Sequence, residues 1–262
     1  MRIKGIIFDV NGTLIDIHTN EWHDEVYRVI SNLLSYQGVA LQPEVVKGLF
    51  FRTIRKQKLV SGERQPEFDV VGVFREIIAQ HATDFTRALP LEQQAQLPMF
   101  LAQAHRAASR VSLRLYPGVQ GTIEQLHAAY VLAIVSDAQT PYALPELNEV
   151  GLSAYFDPVI VSGDFGYRKP DVRLFEAALR RMKLEPTEVL FVGNDLYRDV
   201  HGPQKLGIKT VFFQQGDMTQ DKAQATPDYL IYSFPELLNA VRYFEGMDRR
   251  QTSRGELASI KV

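Results

Sequence analysis

An α/β fold built on a parallel sheet is predicted by three features of the chain. Through the C-terminal half, apolar runs of strand length alternate with helical stretches, an order that requires crossovers and therefore parallel pairing. One further apolar run, Ile3 to Phe8, stands at the N-terminus and reads as a buried parallel strand. Between this run and the others lies a block, from about Ile17 to Ser112, with helical periodicity and no convincing strand. A block of that size is able to fold as a subdomain.

The elements follow in order. Within the block, Glu21 to Tyr36 carries Val26, Ile30, Leu33 and Leu34 at helical spacing. Pro43 to Val60 carries Val46, Leu49, Phe50 and Ile54, with Pro43 suited to a first helical turn. Phe68 to Ala82 and Leu91 to Arg110 complete the helices, and Tyr116-Pro117-Gly118 breaks the pattern. Next come a helix (Gln120 to Ala129), a strand (Tyr130 to Val135) and a helix (Pro141 to Val150) closed by Gly151. A strand (Pro158 to Val161) leads to a helix (Asp171 to Met182) with Asp171 as its N-cap. The strand Val189 to Val192 precedes a helix from Asp199 to Leu206 that Pro203 interrupts. Strands at Lys209 to Phe213 and Tyr229 to Ile231 and a helix at Pro235 to Tyr243 end the fold. The polar tail from Glu245 to Val262, with Arg249, Arg250 and Arg254, is expected to be flexible.

Composition removes several classes of function. At 262 residues and 45% hydrophobic the chain has material for a substantial core. Its 29 Lys+Arg nearly balance 31 Asp+Glu, for a formal net charge of −2. Bulk charge therefore points to neither a nucleic-acid nor a membrane partner, and a small-molecule substrate is expected. The absence of cysteine excludes disulfides, thiolate metal sites and a Cys nucleophile. It is compatible with a reducing cytoplasm, the expected location, and no apolar run reaches the length of a membrane span.

The chemistry gathers at strand ends. Ile6-Ile7-Phe8 runs into Asp9-Val10-Asn11-Gly12-Thr13, and open α/β sheets bind ligands beyond the carboxyl ends of their strands. A carboxylate there can be a nucleophile or a metal ligand, or simply close the strand as Asp does at turns. Three later clusters tilt the balance: Ser136-Asp137, Lys169, and Asn194-Asp195 with Asp199. Together they offer a nucleophile, a hydroxyl donor, a cation and an acidic pocket of hard oxygen ligands. Those are the parts that receive a phosphoryl group, and Mg²⁺ is the cation such ligands suit.

These four segments resemble, in order, the four motifs of the haloacid dehalogenase superfamily, in the branch with a helical cap after the first motif. Asp9-Val10-Asn11-Gly12-Thr13 is similar to the first, Val131 to Ser136 to the second, Lys169-Pro170-Asp171 to the third, and Val192 to Asp199 to the fourth. The resemblance implies a Rossmann-like core over 1–16 and 113–245, an all-helical cap over 17–112, and a tail from 246 to 262. It also implies roles. Asp9 attacks the substrate, Ser136 and Lys169 bind the transferring group, and Mg²⁺ sits among Asp9, the Asn11 carbonyl, Asn194, Asp195 and Asp199. Asp137 is counted with the substrate-binding residues.

The pattern is also broken. Family phosphatases place Asp two residues after the nucleophile, where this chain has Asn11; Asn cannot shuttle a proton. Asn194 stands for the usual first Asp of the fourth motif, and Asp137 for the usual Asn of the second. Metal-independent 2-haloacid dehalogenases also lack the second Asp. The segment Phe8-Asp9 through Gly12 to Thr19 is similar to theirs, and Phe51-Arg52 resembles the place where they present an Arg to the substrate carboxylate. The phosphatase spacing from Asn194 to Asp199 favours a Mg²⁺-dependent phosphatase over a dehalogenase or a binding protein with little turnover. Taken singly, the residues have plainer readings: Ser136 and Asp199 as helix caps, Lys169 and Arg52 as solvated cations. Tyr197 and Arg198 are given no role.

Overall fold

A computed structural model describes residues 1–215 and 225–246; the rest of the expected tail, 247–262, lies outside the described residues. The chain begins with β1 (Gly5–Phe8) and β2 (Ile15–Thr19). Then come α1 (Asp24–Ser35), α2 (Pro43–Val60), α3 (Val70–His81), α4 (Asp84–Ala88) and α5 (Leu91–Ser109). β3 (Arg110–Leu115) leads to α6 (Val119–His127), β4 (Val131–Ser136), α7 (Thr140–Glu149) and β5 (Val159–Val161). α8 (Val172–Met182) and β6 (Val189–Gly193) precede a π-type turn, Leu196–His201, which runs into the short α9 (Gly202–Gln204). β7 (Lys209–Phe213), β8 (Tyr229–Ile231) and a helix over 237–246 complete it.

Six strands form one parallel sheet in the order β5-β4-β1-β6-β7-β8, as the alternation of strands and helices predicts. Alternate residues of its strands enter different cores, the period-two rule of a pleated strand. Ile6, Phe8, Leu132, Ile134, Leu190 and Val192 pack with α6, α7 and the helix 237–246. Ile7, Ala133, Val135 and Phe191 pack with α8 on the opposite face. β1 lies between β4 and β6, with Phe8 in register with Ile134 and Val192. The first strand therefore ends at the middle of the sheet, flanked by the ends of β4 and β6.

The helices α1, α2, α3 and α5 bury their own apolar cluster, among it Val26, Ile30, Phe50, Phe74 and Leu101. Tyr142 of α7 reaches into this cluster from the sheet side. Arg106 of α5 adds a largely buried ion pair with Glu146 of α7, at 2.6 Å.

The expectation of no strand between Ile17 and Ser112 is corrected. β2 and β3 pair antiparallel, Ile15 opposite Leu115 and Asp16 opposite Arg114. This ribbon straddles both places, 16/17 and 112/113, where the sequence divides core from insertion. Each strand alternates apolar and polar residues over only five or six positions, and its partner lies far away in the chain. Local periodicity does not see such a pairing. Arg110, expected as the end of a helix, instead has extended backbone and begins β3. The five-residue α4 was also unanticipated; Thr83 caps it through the Thr86 N–H.

His105 lies buried in the middle of the helical cluster and must remain uncharged there. It is 1% exposed, stacked on Phe50, with the Tyr27 and Tyr142 hydroxyls at 3.5 and 3.4 Å from its ring nitrogens. Burial, with Arg106 nearby, lowers it from 6.5 to about 4. The unfolded chain therefore binds more protons between those values. His105 contributes its full stability above about pH 6.5 and loses it as pH falls toward 4, by up to about 3 kcal/mol. Urea titrations across this range should show a shallower pH dependence in His105→Gln than in wild type.

Candidate active site

The turn after β1 is built for close approach. The N–H groups of Thr13, Leu14 and Ile15 all donate to the Val10 carbonyl, which folds the chain back on itself. Gly12 has φ +82°, and a Cβ there would collide with the Asn194 amide. Glycine alone satisfies both conditions without strain. Thr13 is fully buried beneath the turn, and its hydroxyl stands 3.2 Å from both Asp9 Oδ2 and Asn194 Oδ1. It ties the first motif to the fourth. Sequence reasoning gave Thr13 no role beyond its place in the first motif.

Asp9, 6% exposed, follows β1 directly. Its Oδ1 accepts a hydrogen bond from Lys169 Nζ at 2.7 Å, and the same ammonium donates to Asp199 Oδ1 at 2.6 Å. Asp199 Oδ2 accepts from the N–H groups of Asn194 and Asp195 at 3.1 and 3.0 Å. Gly193 is required beside it, because a Cβ there would collide with the Asp199 carboxylate. Burial opposes the charge on Lys169, but Asp199, Asp9 and Asp137 outweigh it and hold the lysine protonated, above its ordinary range. Burial likewise raises Asp199 above the ordinary carboxylate range, with Lys169 pulling the other way and the Asp9 charge adding to the rise.

Ser136 ends β4, is 1% exposed, and its hydroxyl makes no hydrogen bond to any described residue. Asp137 is engaged. Its Oδ1 accepts the Lys169 N–H at 2.8 Å and its Oδ2 accepts Arg168 Nε at 3.3 Å, with Arg198 3.7 Å away. The negative charge that replaces the family's Asn is thus neutralised by two guanidinium groups that sequence reasoning left out. Arg168 adjoins a motif residue, which is the signal that could have found it. Arg52, on α2, is exposed and makes no ion pair or hydrogen bond to any described residue, so no contact brings it to this cluster.

The oxygen donors divide into free and committed. Asn11 Oδ1 is a fully enclosed side-chain oxygen without a partner among the described residues. Asn194 Oδ1 receives only Thr13. Asp195, by contrast, caps the following turn: Oδ1 accepts the Tyr197 and Arg198 N–H groups at 3.0 and 2.7 Å, and Oδ2 accepts Arg198 Nε at 2.7 Å. Burial works against its charge, but Arg198 and the amides hold Asp195 below the ordinary carboxylate range. Among the described residues no three His, Cys, Asp or Glu side chains group as a metal site. A divalent ion here has to rest on Asp9 with neutral oxygens. The donors fit a hard cation in kind: Asp9, Asp137, Asp195 and Asp199 exceed Lys169, Arg168 and Arg198 by one negative charge, and an orphaned amide oxygen stands two residues from Asp9.

Removing Lys169 should be costly. Lys169→Met leaves Asp9 and Asp199 buried without their cation, a change typically worth about 3–5 kcal/mol. Denaturant unfolding should show that loss at neutral pH and a smaller one at acid pH, where the carboxylates take up protons.

Comparisons with known proteins identify the family. Residues 3–207 match the family model of haloacid dehalogenase-like hydrolases. The chain is 25% identical to the glyceraldehyde 3-phosphate phosphatase of Pyrococcus furiosus over 258 residues, 97% of this chain and 99% of that one. It is also 25% identical to the phosphoglycolate phosphatase of Yersinia pestis, covering 91% and 93%. In structure it is similar to a 2-haloacid dehalogenase from Pseudomonas syringae pv. Tomato DC3000, with a TM-score of 0.63, 20% identity, and 92% and 99% of the two chains covered.

Proposed function

The chain belongs to the haloacid dehalogenase-like hydrolases, and from that premise we propose that it is a Mg²⁺-dependent phosphatase of a small phosphorylated metabolite. One observation carries the reading: Lys169 Nζ bridges Asp9 and Asp199 at the centre of the sheet edge, beside a Ser136 hydroxyl with no hydrogen bond to a described residue. The phosphatase names of the relatives support the same reaction. The dehalogenase neighbour, at 20% identity, speaks for the fold alone.

In this mechanism an Asp9 oxygen attacks phosphorus, and the bond from phosphorus to the alcohol oxygen breaks. Lys169 and Ser136 hold the equatorial oxygens as charge shifts onto them. Water then hydrolyses the aspartyl phosphate, releasing phosphate and restoring Asp9. Mg²⁺ would be held by Asp9, the Asn11 carbonyl and Asn194, where it offsets the charge of carboxylate and substrate; Asp195 and Asp199 shape that pocket. The helical insert covers the strand ends as a cap and excludes water.

Asn11 limits the rate. It can hydrogen-bond to the leaving oxygen but cannot protonate it, and such general-acid work contributes roughly 10²–10⁴-fold. Good leaving groups are therefore handled best.

Hydrolysis of an activated aryl phosphate, followed with Mg²⁺ and with EDTA, tests the function. Wild type should release phosphate only with Mg²⁺, and Asp9→Asn should fall to background. Asn11→Asp should gain rate, most with a poor leaving group; an unchanged or slower rate would remove the missing-acid account. Chloride release from 2-chloropropionate without metal would instead place the chain with the dehalogenases.

A further inference from the structure

We propose that Gln65, Pro66 and Glu67 of the helical insert are positioning residues for Lys169, so that the lysine is aligned only while the insert is closed on the sheet. The inference rests on the reading of Asp9 and Lys169 as the reacting pair.

The segment that delivers Lys169 is neither strand nor helix, and it is held from two sides. On the insert side, the Glu67 N–H donates to the Gly166 carbonyl at 2.9 Å and the Arg168 N–H donates to the Gln65 carbonyl at 3.0 Å. Pro66 and Tyr167 form an antiparallel bridge between these bonds. On the sheet side, the next amide, that of Lys169, donates to Asp137 Oδ1 at 2.8 Å. Successive N–H groups thus point to the insert and to the end of β4. If the insert lifts away, one side of this clamp is lost, and the backbone that aims the ammonium at both Asp9 and Asp199 keeps only its sheet-side bonds.

Side chains repeat the pattern. Glu67 is 6% exposed, and its Oε2 accepts the Ser162 hydroxyl at 2.9 Å. The same oxygen lies 4.0 Å from Arg168 Nε, which donates to Asp137 Oδ2 at 3.3 Å. Arg198 stands 3.7 Å from Asp137 and pairs with Asp195 at 2.6 Å. Charges therefore alternate from the insert to the loop after β6: Glu67, Arg168, Asp137, Arg198, Asp195. A buried carboxylate demands partners of this kind. Within the insert Glu67 Oε1 has only the Phe68 N–H, at 3.0 Å, among the described residues; the other partners of Glu67 lie on the sheet side, where it stands beside Arg168 as that guanidinium turns toward Asp137. Gln139 of the sheet domain secures the adjoining stretch, donating to the Phe68 carbonyl at 2.7 Å and accepting the Val70 N–H at 3.0 Å.

Hydrogen exchange and kinetics on the full chain test this together. Glu67→Gln keeps the shape of the side chain and removes its charge; Ser162→Ala removes its hydroxyl partner and serves as the second variant. Exchange over residues 164–169 should rise about tenfold in both, as local opening becomes easier, with β6 unaffected. On the aryl phosphate, kcat of Glu67→Gln should fall by about tenfold with KM within about twofold, and Glu67→Gln/Arg168→Gln should be no worse than the poorer single variant, since the two act through one path. Wild-type exchange at 164–169 in both variants, or faster exchange confined to 61–69, overturns the proposal; so does faster exchange at 164–169 with an unchanged kcat. If wild type hydrolyses no phosphate ester, the phosphatase reading fails and the exchange result alone still decides whether the insert holds the lysine segment.

Discussion

A protonated amine buried between two carboxylates organises this molecule. Lys169, Asp9 and Asp199 are each almost removed from water, and none is tolerable there alone. The sheet order supplies the meeting point. β1 in the middle runs into Asp9, β4 beside it ends on Ser136, and β6 on its other side ends on Gly193, where the chain turns through Asn194 and Asp195 to Asp199. Two glycines, Gly12 and Gly193, let the turns come close enough for these charges to touch.

Most of the sheet was legible in the sequence because its strands are short, apolar and punctuated by polar ends. Lys209 to Phe213 and Tyr229 to Ile231 were placed as they stand, and Pro43 to Val60 was located to the residue. What escaped depends on partners distant in the chain. The ribbon of β2 and β3 is stabilised across the sequence, by Arg114 Nε on Asp16 at 2.8 Å among other contacts. In the site, the structure brings the strand-end residues Asp9, Lys169 and Asp199 into contact, while Thr13, Arg168, Arg198 and Glu67 were not given their parts. Their roles come from hydrogen bonds to residues that only the fold brings near. Arg52 marks the opposite case: a motif-like neighbourhood with no contact to the cluster behind it.

The departures from the family pattern form a consistent electrostatic picture. Asp137 adds a negative charge next to Ser136, and Arg168 and Arg198 absorb it. Asn11 and Asn194 remove negative charge from the ends of β1 and β6, leaving neutral oxygens near Asp9. Charge has moved outward, from the reacting centre to its walls. Such a centre repels an anionic substrate less, and it gives up proton transfer to do so.

The chain leaves the sheet core through β2 and returns through β3, and the Asn20 N–H meets the Ser109 carbonyl at 2.7 Å where the two strands part. Departure and return therefore share a single doorway. A segment of any length or shape whose two ends meet at that spacing can be plugged into the same socket without altering the strand order. The sheet and what covers its edge are thereby joined at one place in the chain, and a replacement segment would keep the centre aligned only if it also met the Gly166 carbonyl and the Arg168 N–H as residues 65–67 do.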